Sequence, residues 1–224
     1  MDICHYCLKK SSATKKLDKM ELEKLGHHCN QVTFRKNERI VTQNMISHSI
    51  LFLKDGLLKI HAIGPEKEQI LDIIKAPSYI GIPTTLGAKI NQHSVTAISV
   101  VNICFIDFDV FKEFVTNNGE FAYEIIVELC KNELRSYQKC INQVQKHSAG
   151  KIAEALLYFS EVIFNEQKFN LPLSRNELGD LTCSSRETVS RILSDFSKNK
   201  LIEIDRQCIT ILDKSKLEFI SKMG

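Results

Sequence analysis

The sequence predicts an α+β protein with an N-terminal antiparallel β jelly-roll barrel, a long dimerisation helix and a C-terminal winged helix-turn-helix. Short β-rich runs follow one another between residues 32 and 108, and a heptad pattern occupies residues 121–146. Two capped amphipathic helices joined by a polar turn lie between residues 173 and 197. We expect the leader and barrel at 1–117, the dimerisation helix at 118–147 and the winged domain at 148–224.

The amino-acid composition indicates an ordinary globular protein. The chain has 224 residues, of which 43% are hydrophobic and 25% charged, as in ordinary globular proteins. The longest apolar stretch, residues 97–106, is far shorter than the roughly 20 residues of a spanning helix, so no membrane partner is expected. The first residues lack the basic and apolar regions of a secretory signal, which predicts a cytoplasmic protein. In that reducing compartment the eight cysteines should be thiols or metal ligands.

Charge and short motifs exclude several functions. The net charge is +3, and residues 148–224 contain 11 Lys and Arg against 11 Asp and Glu. A nucleic-acid site there must therefore come from the local placement of charged side chains. The sequence has no glycine-rich phosphate loop, metalloprotease helix or nucleophile elbow, so we expect no enzyme and assign no catalytic residue.

The predicted elements begin with a short amphipathic helix over residues 18–25, which Gly26 should end. Seven β-rich runs follow at about ten-residue spacing, a pattern typical of an antiparallel sandwich or barrel. They are residues 32–34, 39–41, 49–53, 57–63, 69–74, 94–98 and 101–106. Residues 76–78 (Ala-Pro-Ser) are interpreted as a turn between two of them. After Asp107 the pattern is helical.

The long helix, from Phe121 to about Lys146, carries an apolar seam whose members recur at alternating steps of four and three. The seam consists of Tyr123, Val127, Cys130, Leu134, Tyr137, Ile141 and Val144. A second apolar edge consists of Ala122, Ile125, Ile126 and Leu129. A helix packed wholly within its own domain is one interpretation. Two apolar faces favour the other, in which one face contacts the barrel and the seam contacts a second copy. Residues 147–150 are the predicted hinge, and a helix over residues 151–164 should follow.

Residues 173–196 predict a helix-turn-helix. Ser174 and Glu177 form a capping box that starts a first helix, and Ser185 can cap a second helix from Arg186 to about Ser197. Residues 182–184 form the turn between them. Apolar residues of the second helix share one arc, and the polar residues occupy the opposite arc. Residues 201–204 and 208–212 predict a hairpin that would serve as the wing.

The polar arc of the second helix suits the reading of base edges. It carries Arg186, Glu187, Ser190 and Arg191. An Arg offers two parallel donors to guanine, a Glu accepts from cytosine, and a Ser can do either. Candidate phosphate contacts are Ser174, Arg175, Ser185 and Thr188. The alternative is a solvated polar face on an ordinary core helix.

Residues 173–193 resemble the winged helix-turn-helix of the Crp/Fnr family. Residues 149–153 resemble the family's segment before that domain, and residues 50–56 resemble a glycine-ended strand pair of its sensor barrel. The resemblance extends over about residues 17–222 and implies a homodimeric transcription regulator with a cyclic-nucleotide-binding-like barrel. Its partners would be double-stranded DNA with an inverted repeat and RNA polymerase. The polar arc contains both the Arg, Glu and Arg of the Crp branch and the Glu-x-x-Ser-Arg of the Fnr branch.

The resemblance also places the effector pocket at Gly81, His93 and Ser94. The Crp branch has Glu and Arg where this chain has Ile82 and His93, so we do not expect cyclic AMP as the ligand.

The Fnr branch holds an iron–sulfur cluster on four cysteines. Cys4, Cys7 and Cys104 match three of them, but Ala13 stands near the position of the fourth. Two alternatives stay open: a cluster or other metal that uses these cysteines, or a leader and a core cysteine without metal. The cofactor is therefore unknown at this point. The rival function is a nucleotide- or redox-sensing regulatory protein that does not bind DNA.

Overall fold

The computed structural model describes residues 9–224, so Cys4 and Cys7 of the predicted metal motif lie outside the described residues. The chain divides into two compact units, one of residues up to 67 with 71–134 and one of residues 68–70 with 135–224. The helices are α1 (Lys19–His27), α2 (Phe108–Asn117), α3 (Gly119–Gln145), α4 (Ser148–Tyr158), α5 (Arg175–Thr182), α6 (Arg186–Lys198) and α7 (Lys214–Met223). The strands are β1 (Cys29–Phe34), β2 (Arg39–Val41), β3 (Ser49–Asp55), β4 (Leu57–Ile63), β5 (Glu68–Lys75), β6 (Ser78–Ile80), β7 (Ser94–Ala97), β8 (Val101–Asp107), β9 (Lys168–Asn170), β10 (Ile202–Asp205) and β11 (Cys208–Ile211). None of the helices between residues 9 and 224 contains an apolar stretch that could span a lipid bilayer.

Two four-stranded sheets form the predicted jelly-roll barrel, which confirms the fold class. One sheet has the strand order β1-β8-β3-β6 and the other β2-β7-β4-β5. The registered pairs are antiparallel, for example Phe52 opposite Cys104 and Ile60 opposite Val95. One apolar cluster contains residues from both sheets: Leu51, Leu53, Leu58, Ile80, Val95, Ala97, Val101 and Ile103.

The first sheet is covered on both faces. Because successive side chains of a strand point to opposite faces, Leu51 and Leu53 face the other sheet, while Ile50 and Phe52 face the helical side. On that side they pack with α1, α2 and the start of α3 in a cluster that contains Leu22, Phe111 and Phe121. The sequence of β3 is therefore a nearly continuous apolar run and does not alternate between apolar and polar residues.

Tyr79 joins the N-terminal segment to this side of the sheet. Its hydroxyl lies 2.9 Å from the Ser11 hydroxyl and 2.8 Å from the Thr14 hydroxyl, and its backbone N–H donates to the Glu128 carboxylate of α3 at 3.3 Å. The ring packs against Phe52, with centroids 4.9 Å apart. Burial raises the pKa of Tyr79 to about 12, so the phenol stays protonated at neutral pH and keeps its hydrogen-bond proton.

The two apolar edges of α3 differ in exposure. Ile125 is buried in the helical-side cluster and Leu129 packs against it, as predicted for the barrel-facing edge. Ile126 is 55% exposed, so its assignment to that edge is wrong. The two residues are one position apart, which turns their side chains about 100° from each other around the helix.

The second unit contains α4 to α7 and a three-stranded antiparallel sheet of order β10-β11-β9. Strands β10 and β11 form the predicted hairpin, in which Ile202 pairs with Ile211 and Asp205 with Cys208. The apolar faces of α4, α5 and α6 are buried, through Leu156, Leu178 and Leu193 among others.

The predicted hinge at residues 147–150 is wrong for three of its four residues. Ser148, Ala149 and Gly150 form the first turn of α4, and His147 is its N-cap residue. A Cβ at Gly150 would lie 2.7 Å from the carbonyl oxygen of Gly224, so this glycine permits close packing of the end of α7. The same packing, rather than flexibility, explains why glycine stands there.

Several smaller differences involve short elements. Helix α1 continues through Gly26 to His27, because the backbone N–H of His28 still bonds the carbonyls of Lys24 and Leu25. Residues 78–80 were interpreted in part as a turn, but they form β6 and pair with β3. Strand β9 and helix α7 were not predicted. Residues 159–164 continue α4 as a wider π-type turn, close to the predicted end of that helix.

Candidate nucleic-acid interface and effector cavity

Helix α5 begins at the predicted capping box. The Ser174 hydroxyl accepts from the backbone N–H of Glu177 at 3.2 Å, and the Glu177 carboxylate accepts from the backbone N–H of Ser174 at 2.8 Å. These bonds satisfy two N–H groups that a helix start otherwise leaves unpaired. Leu178 lies on the inner face of α5 and is fully buried. The sequence signal therefore fixes where the first helix begins.

The turn between α5 and α6 is tight. Cys183 adopts a left-handed backbone conformation with φ 51°, and the backbone N–H of Ser184 donates to the Gly179 carbonyl at 2.9 Å. A Cβ at Gly179 would lie 2.6 Å from the carbonyl oxygen of Ser184, a distance that Cβ atoms do not tolerate. The close approach of the turn to α5 therefore requires glycine at position 179.

We expect Gly179→Ala to destabilise the second unit by about 1–3 kcal/mol, because the clash is with backbone that has little room to move. Thermal or urea unfolding of the full chain measures this. Gly119→Ala is the matched control, since a Cβ there meets nothing within 4 Å. Equal unfolding midpoints for the two variants would contradict the steric role of Gly179.

Helix α6 presents the predicted polar arc to solvent. The Ser185 hydroxyl caps it by accepting from the backbone N–H of Thr188 at 3.2 Å. The buried residues of the helix are Val189, Ile192, Leu193 and Phe196. The four candidate base-reading residues Arg186, Glu187, Ser190 and Arg191 are all exposed. At 100° per residue they share the arc opposite the buried residues, so they are available together to one groove.

The exposed arc of α6 carries one carboxylate and two guanidinium groups. Hydrogen bonds from the backbone N–H of Glu187 and from the Ser185 hydroxyl lower the pKa of the Glu187 carboxyl. The carboxylate is therefore ionised at neutral pH. One Arg191 guanidinium nitrogen lies 3.7 Å from the Asp195 carboxylate, one turn further along the helix. Such an exposed ion pair is weak and leaves Arg191 able to move to another partner.

The candidate phosphate contacts lie at the two helix starts. Ser174 and Ser185 use their hydroxyls as N-caps, and the Ser185 hydroxyl also donates to the Thr188 hydroxyl at 3.1 Å. Arg175 is half-buried, and that burial lowers its pKa from the usual high value without removing its charge. Helix N-termini attract phosphates, which supports this placement.

The end of α3 is bonded to the helix-turn-helix. The Gln143 side-chain amide donates to the Leu181 carbonyl of α5 at 2.9 Å. Asn142 and Lys146 both contact the Glu154 carboxylate of α4, at 2.6 Å and 3.1 Å. These polar contacts tie the last turns of the long helix to α4 and α5.

The predicted dimer seam on α3 is exposed over most of its length in a single chain. Tyr123 is 66% exposed, Leu134 67% and Val144 79%. Tyr137, Ile141 and Cys130 are also exposed, and Val127 is half-buried. A stripe of large apolar side chains in contact with water is what an unpaired interface shows.

The barrel contains a cavity of about 320 Å³ at the predicted effector position. Gly81 and His93 line it, as expected from the resemblance. Ser94 is not among the lining residues of this cavity; its hydroxyl accepts from the backbone N–H of Gln43 at 3.0 Å. Burial, followed by the effect of the nearby His61, lowers the pKa of His93, so its ring is neutral at pH 7. A neutral ring cannot balance the charge of a cyclic phosphate.

The described cysteines do not by themselves make a cluster site. Cys104 is buried in the helical-side cluster with Ala13 and Tyr79, and Cys29 packs against the same cluster. Within residues 9–224 no group of three or more His, Cys, Asp or Glu side chains is placed to hold a metal. Four thiolates would be needed for a [4Fe–4S] cluster, and Ala13, which the resemblance places near a cysteine position of the Fnr branch, is a buried apolar residue.

Several residues of these sites were missed from the sequence. Gln143 and Asn91 carry no local signal, because their partners are brought near only by the folded chain.

Comparison with known proteins agrees with this arrangement. Residues 31–118 match the model of the cyclic nucleotide-binding domain, and residues 150–220 match that of the Crp-like helix-turn-helix domain. The chain is 26% identical to "Electron transport regulator A" of Shewanella oneidensis, over 84% of this chain and 76% of that protein. It is 26% identical to "Transcriptional activator protein anr" of Pseudomonas aeruginosa, over 94% of this chain and 86% of that protein. Its fold is similar to that of FixK2 from Bradyrhizobium japonicum, with a TM-score of 0.78 at 15% identity, covering 86% of this chain and 96% of that chain. With a cyclic-nucleotide-binding-like domain followed by a Crp-like helix-turn-helix, the chain belongs to the Crp/Fnr family of transcription regulators.

Proposed function

We propose that the protein is a homodimer that binds an inverted repeat in double-stranded DNA through α6 and responds to an effector in its barrel. The observation that carries the proposal is the exposed arc of α6, in which Arg186, Glu187, Ser190 and Arg191 lie side by side opposite a buried apolar face. That arrangement favours DNA binding over the rival, a sensor that has lost its contact with DNA.

The long helix is the proposed relay. It carries the exposed seam, and its last turns bond α4 and α5 through Asn142 and Gln143. A change in how two copies pair along α3 would therefore alter the position of the helix-turn-helix of each copy. An effector acts on such an equilibrium only through unequal affinity for the two dimer states.

The remaining assignments follow from this function. We propose domain boundaries at 117/118 and 147/148, a cytoplasmic location where DNA is accessible, RNA polymerase as a partner and no enzymatic activity. The cofactor stays open: an anaerobic absorbance spectrum of the full chain tests whether Cys4 and Cys7 join Cys104 in an iron–sulfur cluster.

A gel shift of the full chain tests the DNA-binding function. We expect a duplex carrying an inverted repeat with TGA half-sites to be bound, and its affinity to fall by roughly 10³-fold between 50 mM and 200 mM salt as phosphate contacts are screened. A duplex with scrambled half-sites is the control for sequence preference. No shift of either duplex at 50 mM salt would count against DNA binding.

A further inference from the structure

The barrel cavity has a lining that selects against charged ligands. Its walls are mostly apolar and include Ile40, Val41, Leu51, Ile80, Val95 and Phe105. None of its lining residues is Lys, Arg, Asp or Glu. An ionised group that entered would find only His48 and His93 as titratable partners, so its loss of water would be poorly compensated.

Asn91 and His93 are two of the polar residues of the lining, and within residues 9–224 neither side chain makes a hydrogen bond. The Asn91 side chain is 9% exposed, and although its backbone groups bond Asn44 and Met45, its amide bonds nothing. The His93 ring, neutral at pH 7, also makes no hydrogen bond there. Both side chains are therefore able to hydrogen-bond a ligand group that enters the cavity.

The exposed residues of the cavity lining include two large apolar side chains beside Thr42 and His48. Met45 and Ile46 belong to its lining and are 60% and 64% exposed. The volume of about 320 Å³ is at the lower end of the size range of small-molecule pockets, roughly 300–1,000 Å³. A compact ligand fits this space, and a nucleotide with its phosphate does not match the chemistry of its walls.

We propose that the cavity binds an uncharged, mostly apolar small molecule that carries a hydroxyl, carbonyl or amide group, and that Asn91 and His93 hydrogen-bond that group. A neutral imidazole and an amide each offer a donor and an acceptor, so they can hydrogen-bond a ligand group that donates or one that accepts. The inference rests on the proposed function only in taking the barrel as the sensor.

Two fluorescent probes that differ by one charged group test the proposal on the full chain. N-phenyl-1-naphthylamine is uncharged, and 8-anilino-1-naphthalenesulfonate adds a sulfonate to nearly the same frame. We expect saturable fluorescence enhancement of the uncharged probe, and no displacement of it by cyclic AMP or by the sulfonate at tenfold higher concentration. Displacement by either anion would overturn the proposal.

Variants of the cavity lining test whether the uncharged probe binds in the barrel cavity. His93→Trp fills the cavity and should weaken binding of the uncharged probe at least tenfold, whereas Gln92→Trp adds the same ring at an exposed neighbouring position and should not. Ile46→Glu, at the exposed mouth, is the second variant in case the larger ring disturbs folding, and it should weaken binding too. Cooperative thermal unfolding is required of each variant. Unchanged affinity in Ile46→Glu, or equal affinity in the two tryptophan variants, would contradict this location.

The hydrogen-bonding part of the proposal is tested by competition. We expect 1-naphthol to displace the probe at about fivefold lower concentration than naphthalene, the worth of one net hydrogen bond. Asn91→Leu keeps the apolar volume and should abolish this advantage. Equal displacement by the two competitors in the wild-type protein would overturn the roles of Asn91 and His93. The probe measurements contain no DNA and are independent of the gel shift. Intact probe binding together with a failed gel shift would therefore count against the DNA-binding function alone.

Discussion

Replacing Leu134 and Ile141 together by glutamate is expected to convert the protein into monomers and to abolish its DNA binding. Both residues are large, apolar and exposed in a single chain, at 67% and 47%. Burial of apolar surface contributes about 25 cal/mol per Å², so a paired seam is stabilised by the side chains that this variant removes. Four glutamates facing one another in a dimer would also repel.

Sedimentation equilibrium measures the mass of the variant, and a gel shift measures its DNA binding. Ser136→Glu with Cys140→Glu is the matched control, since it adds the same two charges to exposed positions of α3 that do not belong to the seam. The control should remain dimeric and bind DNA. A dimeric Leu134/Ile141 variant would show that the seam lies elsewhere.

Arg191→Ala is expected to weaken binding to every operator, whereas Arg186→Val should relax a single base position. Arg191 and Glu187 lie one turn apart on the exposed arc of α6, close enough to contact opposite members of one G·C pair in the TGA core. Arg186 should add a preference for G two positions before the G of that core, giving GTGA over TTGA. A bidentate Arg–guanine contact is worth about 1–3 kcal/mol, so the preference should be roughly tenfold or more.

Selection from duplexes with randomised half-sites measures both effects, with the wild-type protein as reference. In Arg186→Val, G and T should be recovered equally at the outer position while the TGA core is kept. Equal recovery of G and T by the wild-type protein as well would mean that Arg186 contacts a phosphate and reads no base. Lys198→Ala, on the same arc but at the far end of α6, serves as a control that should leave the selected sequence unchanged.

Elements with a local chemical signal were predictable from the sequence. The Ser174–Glu177 capping box and the Ser185 cap placed both helices of the helix-turn-helix to within one residue, because a cap is decided by side chains three positions apart. The strands β2 and β4 were also predicted with their observed bounds, and for β4 the reason is local, since Gly56 and Gly64-Pro65 delimit it.

Elements that depend on distant parts of the chain were not predictable. The short strand β6 exists because β3 pairs with it, and three residues carry too little pattern to show this. Gly150 was interpreted as a hinge because glycine is permissive, whereas its close neighbour is Gly224, at the other end of the second unit's sequence. The unpaired amide of Asn91 became visible only once the strands around the cavity were in place.

The hydrogen bonds of Tyr79 connect residues 11–14 to the long helix α3. Ser11 and Glu128 are far apart in sequence, yet one residue contacts both, through its hydroxyl and its backbone N–H. A displacement of residues 11–14 can therefore reach α3 through Tyr79, and also through the apolar cluster that Ala13 shares with Phe121 and Ile125. Tyr79→Phe would remove the hydroxyl contacts with Ser11 and Thr14 and keep the backbone hydrogen bond to Glu128, so it isolates what the hydroxyl adds to this connection.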